Sequence, residues 1–164
     1  MHAAANRYSF QDKAGDYARL AGELASLLEG ERDLIARAAN TAALIFGALP
    51  DINWAGFYFL RDDVLVVGPF QGKPACMRIA MGKGVCGTAA ARRETVIVPD
   101  VAEFPGHIAC DAASRSEIVI PLLAGEKILG VLDIDSPSTA RFDALDASGL
   151  EQLVAVLLSD LESR

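Results

Sequence analysis

The hydrophobic period of this chain changes twice, and that constrains its architecture more than any other feature. Up to residue 48 apolar side chains recur at helical spacing, from Asn53 to Asp135 they alternate or run in short β-rich blocks, and from Asp143 the helical spacing returns. Two helices, then an antiparallel sheet built from hairpins, then a last helix must bury one stripe per helix against a sheet face. The expected class is an α+β sandwich.

The individual signals sharpen this. Residues 11–29 place Tyr17, Leu20, Leu24, Leu27 and Leu28 on a helix that Gly30 stops. Residues 31–48 carry Leu34, Ile35, Ala38, Ala42, Ile45 and Phe46 on one side, and Pro50 ends that helix. Blocks 54–60 and 64–70 read as a hairpin around Arg61-Asp62-Asp63. A short strand is expected at 76–79, a short helix at 85–92, and another strand at 95–98. Residues 100–115, with Pro105 and Gly106, read as a long loop, the kind of segment that often carries function. A second hairpin, 117–123 with 127–135, turns around Ala124-Gly125-Glu126, and the last helix spans 143–162.

Without a repeat or a linker, the 164 residues are expected to form one domain. A net charge of −7 repels phosphate backbones and anionic lipid, which argues against nucleic-acid and membrane-surface roles. Asn6 and Arg7 interrupt any apolar run at the start, so no signal peptide is expected and the expected compartment is the cytoplasm. There Cys76, Cys86 and Cys110 would rest as thiols, and any disulfide among them would be transient and part of a redox cycle.

Cysteine is therefore the candidate chemistry. Cys86 falls in the first turn of the expected short helix, where the helix dipole favours thiolate and hence nucleophilicity. Cys110 lies in the long loop with His107 three residues upstream, although the neighbouring Asp111 opposes its ionisation. Each cysteine taken alone reads first as a small buried hydrophobe, and three together near glycine-rich turns weaken that reading. Cys76, Cys86, His107 and Cys110 could also make a zinc set, but the paired Cys-x-x-Cys knuckle is missing. The segment 82–88 lacks the spacing of a phosphate loop.

Acidic residues give the second signal. Strand alternation puts Leu129, Val131, Asp133 and Asp135 on one face, so two carboxylates continue an apolar stripe. With Glu117 on the partner strand, three acids would share a half-dry pocket, and crowding would keep one of them protonated at neutral pH. Such a group can donate a proton to a developing oxygen. The plainer alternative is that Asp135, in Asp135-Ser136-Pro137, serves a turn. Trp54 and Tyr58, on one strand face, could wall an apolar pocket or simply pack a core.

Taken together, NWAGFY (53–58), FQGKPAC (70–76), GKGVCGT (82–88), FPGHIACD (104–111), SEIVIP (116–121) and GVLDIDS (130–136) resemble the free methionine-R-sulfoxide reductases, which are built on a GAF fold. The resemblance covers nearly the whole chain. It implies a GAF-like central antiparallel sheet with N-terminal helices and a C-terminal helix packed on it, and a single catalytic domain over 1–164. It implies Cys110 as nucleophile, Cys76 as resolving partner and Cys86 as a reserve thiol, passing through a sulfenic acid and a disulfide that thioredoxin reduces. It also implies that Glu117, Asp133 and Asp135 contact the substrate's oxygen and ammonium, that Trp54 and Tyr58 hold its S-methyl end, that no cofactor or metal is needed, and that the protein is a homodimer. The helix-terminus argument favours Cys86 instead. The rival function is a GAF sensory module that binds a small ligand or cyclic nucleotide without turnover.

Overall fold

The structure, a computed structural model, describes residues 7–161. The opening residues 1–6, on which the expectation about a signal peptide partly rests, and Glu162 lie outside the described residues. Helices α1 (Lys13–Leu27) and α2 (Leu34–Ala48) come first, then strands β1 (Trp54–Arg61), β2 (Val64–Gly72) and β3 (Arg78–Ala80), followed by helix α3 (Gly84–Arg92). Strand β4 (Val96–Val98), a 3-10 turn at Val101–Glu103, strands β5 (Ser116–Ala124) and β6 (Lys127–Ser136), and helix α4 (Ala144–Leu158) complete the order. The strands form one antiparallel sheet in the order β3-β2-β1-β6-β5-β4. The expected α+β class is borne out.

Local chemistry sets the element ends. Asp12, Asp33 and Asp143 each accept a backbone N–H of the helix they precede, and Asp143 closes a capping box with Asp146. Asp62 and Asp63, at φ +49° and +63°, make a two-residue left-handed turn whose twist suits a hairpin, so Arg61 stays paired with Val64.

Strand alternation divides the sheet into two unlike faces. On one, Ala55, Phe57 and Phe59 of β1, Ile118, Ile120 and Leu122 of β5, and Leu132 and Ile134 of β6 join the buried stripes of α1, α2 and α4 in the main core. A side chain on Gly149 of α4 would collide with the Tyr17 ring, so the two helices approach closely there. The Tyr17 hydroxyl then donates to Asp146 Oδ1 at 2.8 Å, an acid also paired with Lys13.

Some expectations needed correction. Leu27, Ile35 and Phe46 are exposed, at 47%, 47% and 36%, because each helix buries a narrower stripe than the full run of apolar positions. Strand β3 starts at Arg78, since Cys76 is drawn off the ladder into a disulfide. Helix α4 stops at Leu158, short of the expected 162.

Candidate active site

The opposite face of the sheet carries a smaller apolar cluster, in which Trp54 and Tyr58 of β1, Val119 of β5 and Val131 of β6 meet Val85, Cys86 and Ala89 of α3. Register decides what else points there. Glu117 pairs with Asp135 and Val119 with Asp133 across β5 and β6, while Trp54 pairs with Asp135 and Gly56 with Asp133 across β1 and β6. The three acids therefore stand on the same face as the aromatics. Along with His107, Ile108, Cys110, Asp111 and Ser114 of the 100–115 loop, they line one cavity of about 30 Å³.

Cys76 and Cys110, 34 residues apart in sequence, form a disulfide with 5.5 Å between their Cα atoms. Both are half-buried, and Cys110 lines the cavity. In this state the cavity has room for about two waters, since one water needs roughly 10–15 Å³. The zinc set considered from sequence is lost, because two of its four ligands are spent on each other.

Cys86 is the remaining free cysteine among the described residues and is buried. Its thiol points at Glu117 Oε1 from 4.0 Å. The expectation that its helix-terminal position yields a ready thiolate is overturned. Burial pushes the Cys86 thiol well up, and the charges of Asp133, Glu117 and Asp135 push it further. A helix terminus contributes roughly 0.3–1 kcal/mol, less than one pKa unit, whereas full burial moves a group by up to about 3–5 units. Burial wins.

The same desolvation acts on the acids. It pushes Glu117 up to about 8, helped by repulsion from Asp135, and raises Asp133 and Asp135 well above the usual carboxylate range. No Lys or Arg is among the residues that line the cavity. These shifts favour the protonated form of the pocket acids at neutral pH.

The aromatic wall is also where alternation placed it. The rings of Trp54 and Tyr58 stack at 5.9 Å, and Phe70 adds a third ring at 5.2 Å from Trp54. Trp54 Nε1 donates to the Lys73 carbonyl and the Tyr58 hydroxyl to the Cys76 carbonyl, at 3.1 and 3.0 Å, which ties the wall to the segment carrying Cys76.

Some contacts of the site had no local sequence signal. Asn53 donates from Nδ2 to Asp111 Oδ2 at 3.1 Å and to Ser114 Oγ at 3.2 Å, pinning the Cys110 loop to the start of β1 across some 60 residues of chain. His107, considered from sequence as a neighbour of Cys110 and as a zinc ligand, has its Nε2 3.6 Å from Glu117 Oε2 at the cavity wall. A pairing that exists only after folding leaves no local pattern to read.

Comparison with known proteins places this geometry. The GAF domain family profile matches residues 29–157. The free methionine-R-sulfoxide reductase of Escherichia coli is 56% identical over 146 residues, covering 89% of this chain and 88% of that protein. The chain belongs to the free methionine-R-sulfoxide reductase family. Solved structures of the family superpose closely. Staphylococcus aureus fRMsr in its reduced form gives a TM-score of 0.87 at 51% identity, covering 90% of this chain and 96% of that one. The Neisseria meningitidis free methionine-R-sulfoxide reductase in complex with its substrate gives 0.87 at 45% identity, covering 96% and 93%. Among the described residues no helix is long and apolar enough to cross a membrane.

Proposed function

We propose that this protein reduces the R-sulfoxide of free methionine to methionine by thiol chemistry. The observation that carries this reading is the meeting, in one cavity, of Cys110 from the disulfide-bonded pair with three desolvated acids and an aromatic wall. When the Cys76–Cys110 bridge is reduced and the loop swings away, the Cys110 thiolate attacks the sulfoxide sulfur. A carboxylic acid of the pocket, Glu117 foremost, gives its proton to the sulfoxide oxygen. That oxygen passes to the cysteine sulfur, the substrate sulfur keeps the electron pair, and methionine leaves behind a Cys110 sulfenic acid. The Cys76 thiol then displaces the hydroxyl as water and closes the disulfide.

Trp54 and Tyr58 would hold the S-methyl end. Asp133 or Asp135, ionised by the arriving α-ammonium, would hold that charge, which gives a physical reason to prefer the free amino acid over a peptide-bound residue. The whole machinery would sit in one cytoplasmic domain. Ile35 and Phe46 on the outer side of α2 are the apolar surface that a homodimer could cover.

Incubated with dithiothreitol, the protein is expected to form methionine from the free R epimer at least about 100-fold faster than from the S epimer or from a peptide-bound sulfoxide. Absence of methionine would leave the sensory GAF reading in place.

Recycling by thioredoxin makes a separate expectation. Met77, next to Cys76, is 74% exposed, and Ile108, two residues from Cys110, is 38% exposed, so apolar side chains flank both ends of the bridge. Met77→Glu should raise the KM for thioredoxin about 10-fold while the dithiothreitol-supported rate stays unchanged. Equal slowing with both reductants would show that Met77 shapes the site and not the docking of the reductant.

A further inference from the structure

The acids proposed for sulfoxide chemistry also stand beside a buried thiol and an imidazole, and that grouping suits a second kind of ligand. Donor atoms of Cys86, Glu117 and Asp133, all buried, lie within 4.8 Å of one another. The Cys86 sulfur is 4.0 Å from one oxygen of Glu117, and His107 Nε2 is 3.6 Å from the other. Asp133, only 6% exposed, has its Oδ1 atom fully buried without a hydrogen-bond partner. These side chains line a cavity of about 30 Å³, room enough for a single ion.

We propose that the oxidised protein binds one zinc-class divalent cation between Cys86, Glu117, Asp133 and His107. One sulfur, one imidazole nitrogen and two carboxylate oxygens form a four-donor set of the mixed softness that suits zinc, whereas magnesium and calcium prefer oxygen alone. Zinc–sulfur bonds of about 2.3 Å and zinc–oxygen or zinc–nitrogen bonds of about 2.0–2.1 Å put neighbouring donors roughly 3.3–3.6 Å apart. The donors of Cys86, Glu117 and Asp133, up to 4.8 Å apart, would close in by as much as about 1.5 Å, and His107, already 3.6 Å from Glu117, would complete the set by turning its ring toward them. This set differs from the one suggested by sequence, since it excludes the bridged Cys76 and Cys110.

The cation takes the place of protons. Coordination requires the Cys86 thiol and the acids to release their protons to solvent, so binding strengthens as pH rises. Because Glu117 and Asp133 are shared with the proposed substrate pocket, the bound ion and methionine sulfoxide exclude each other.

The test is titration of the full, oxidised chain with cobalt(II), in which Cys86 is the one free thiol. The expected result is one cobalt per chain, with a near-ultraviolet thiolate-to-cobalt charge-transfer band and the intense visible bands of four-coordinate cobalt, both removed by added zinc. Cys86→Ser should lose the charge-transfer band and bind at least about 100-fold more weakly. If Cys86→Ser fails to fold by circular dichroism, Asp133→Asn serves instead, and it should keep the sulfur band but weaken binding by at least about 10-fold. A spectrum of hydrated cobalt only, or unchanged binding and spectrum in Cys86→Ser, would overturn the proposal. The readout does not depend on turnover, so reductase activity without a cobalt–thiolate band refutes the ion site alone.

Discussion

Cys110→Ser is expected to abolish methionine formation even in a single turnover with pre-reduced protein, by a factor on the order of 10⁴ or more. Cys110 and Cys86 both line the cavity, but Cys110 also pairs with a second, half-buried cysteine, so it joins the two demands of the proposed cycle: reach to a substrate and reach to a resolving thiol. Cys86 meets the first demand alone. It lies buried among acids that hold it as a thiol, and its sulfur is not joined to another. Cys76→Ser separates the two roles. It should release close to one equivalent of methionine per chain and then stop, because the sulfenic acid has no partner with which to shed water. Quenched-flow measurement of methionine per protein checks both variants. A full equivalent released by Cys110→Ser would move the attack to Cys86.

Glu117→Gln is expected to slow the chemical step by roughly 10²–10⁴-fold and to remove the alkaline limb of the rate profile. Burial and the Asp135 charge push Glu117 up to about 8, so the acid form prevails at neutral pH and is lost as pH rises through that value. The wild-type single-turnover rate, once the rise from thiolate formation is accounted for, should fall above about pH 8, and the amide variant should show no such fall. Stability follows the same sign. The native state binds a proton that the unfolded chain releases near 4.5, so this contribution is complete below 4.5 and is lost as pH rises through about 8. Urea unfolding across that window should be flatter in Glu117→Gln than in the wild type. Asp133→Asn should likewise hurt the chemical step, while Lys127→Ala, at the exposed start of the same strand, should not. A wild-type rate in Glu117→Gln, or equal losses in Asp133→Asn and Lys127→Ala, would refute the acid pocket.

Much of the fold was legible because periodicity is a local property. Alternation along β6 put Asp133 and Asp135 on the face of Val131, and alternation along β1 put Trp54 with Tyr58; the structure keeps both. The aspartates before the helices and the Asp62-Asp63 turn act within a few residues of themselves, where sequence can report them. Helix edges were less legible. Leu27, Ile35 and Phe46 fit the helical repeat, and only the packing partner decides how wide a stripe is covered.

By itself, the sequence determined the α+β order, the sharing of one strand face by acids and aromatics, and the resemblance that links three cysteines to sulfoxide chemistry. The tertiary structure showed the Cys76–Cys110 bridge that the resemblance implied, and it alone decided that Cys86 is held as a buried thiol and which partners Asn53 and His107 meet. The physical reason is range. Backbone period and capping are written in neighbouring residues, whereas desolvation, charge crowding and disulfide reach depend on the register of strands far apart in the chain. Those quantities come into being only when the sheet closes.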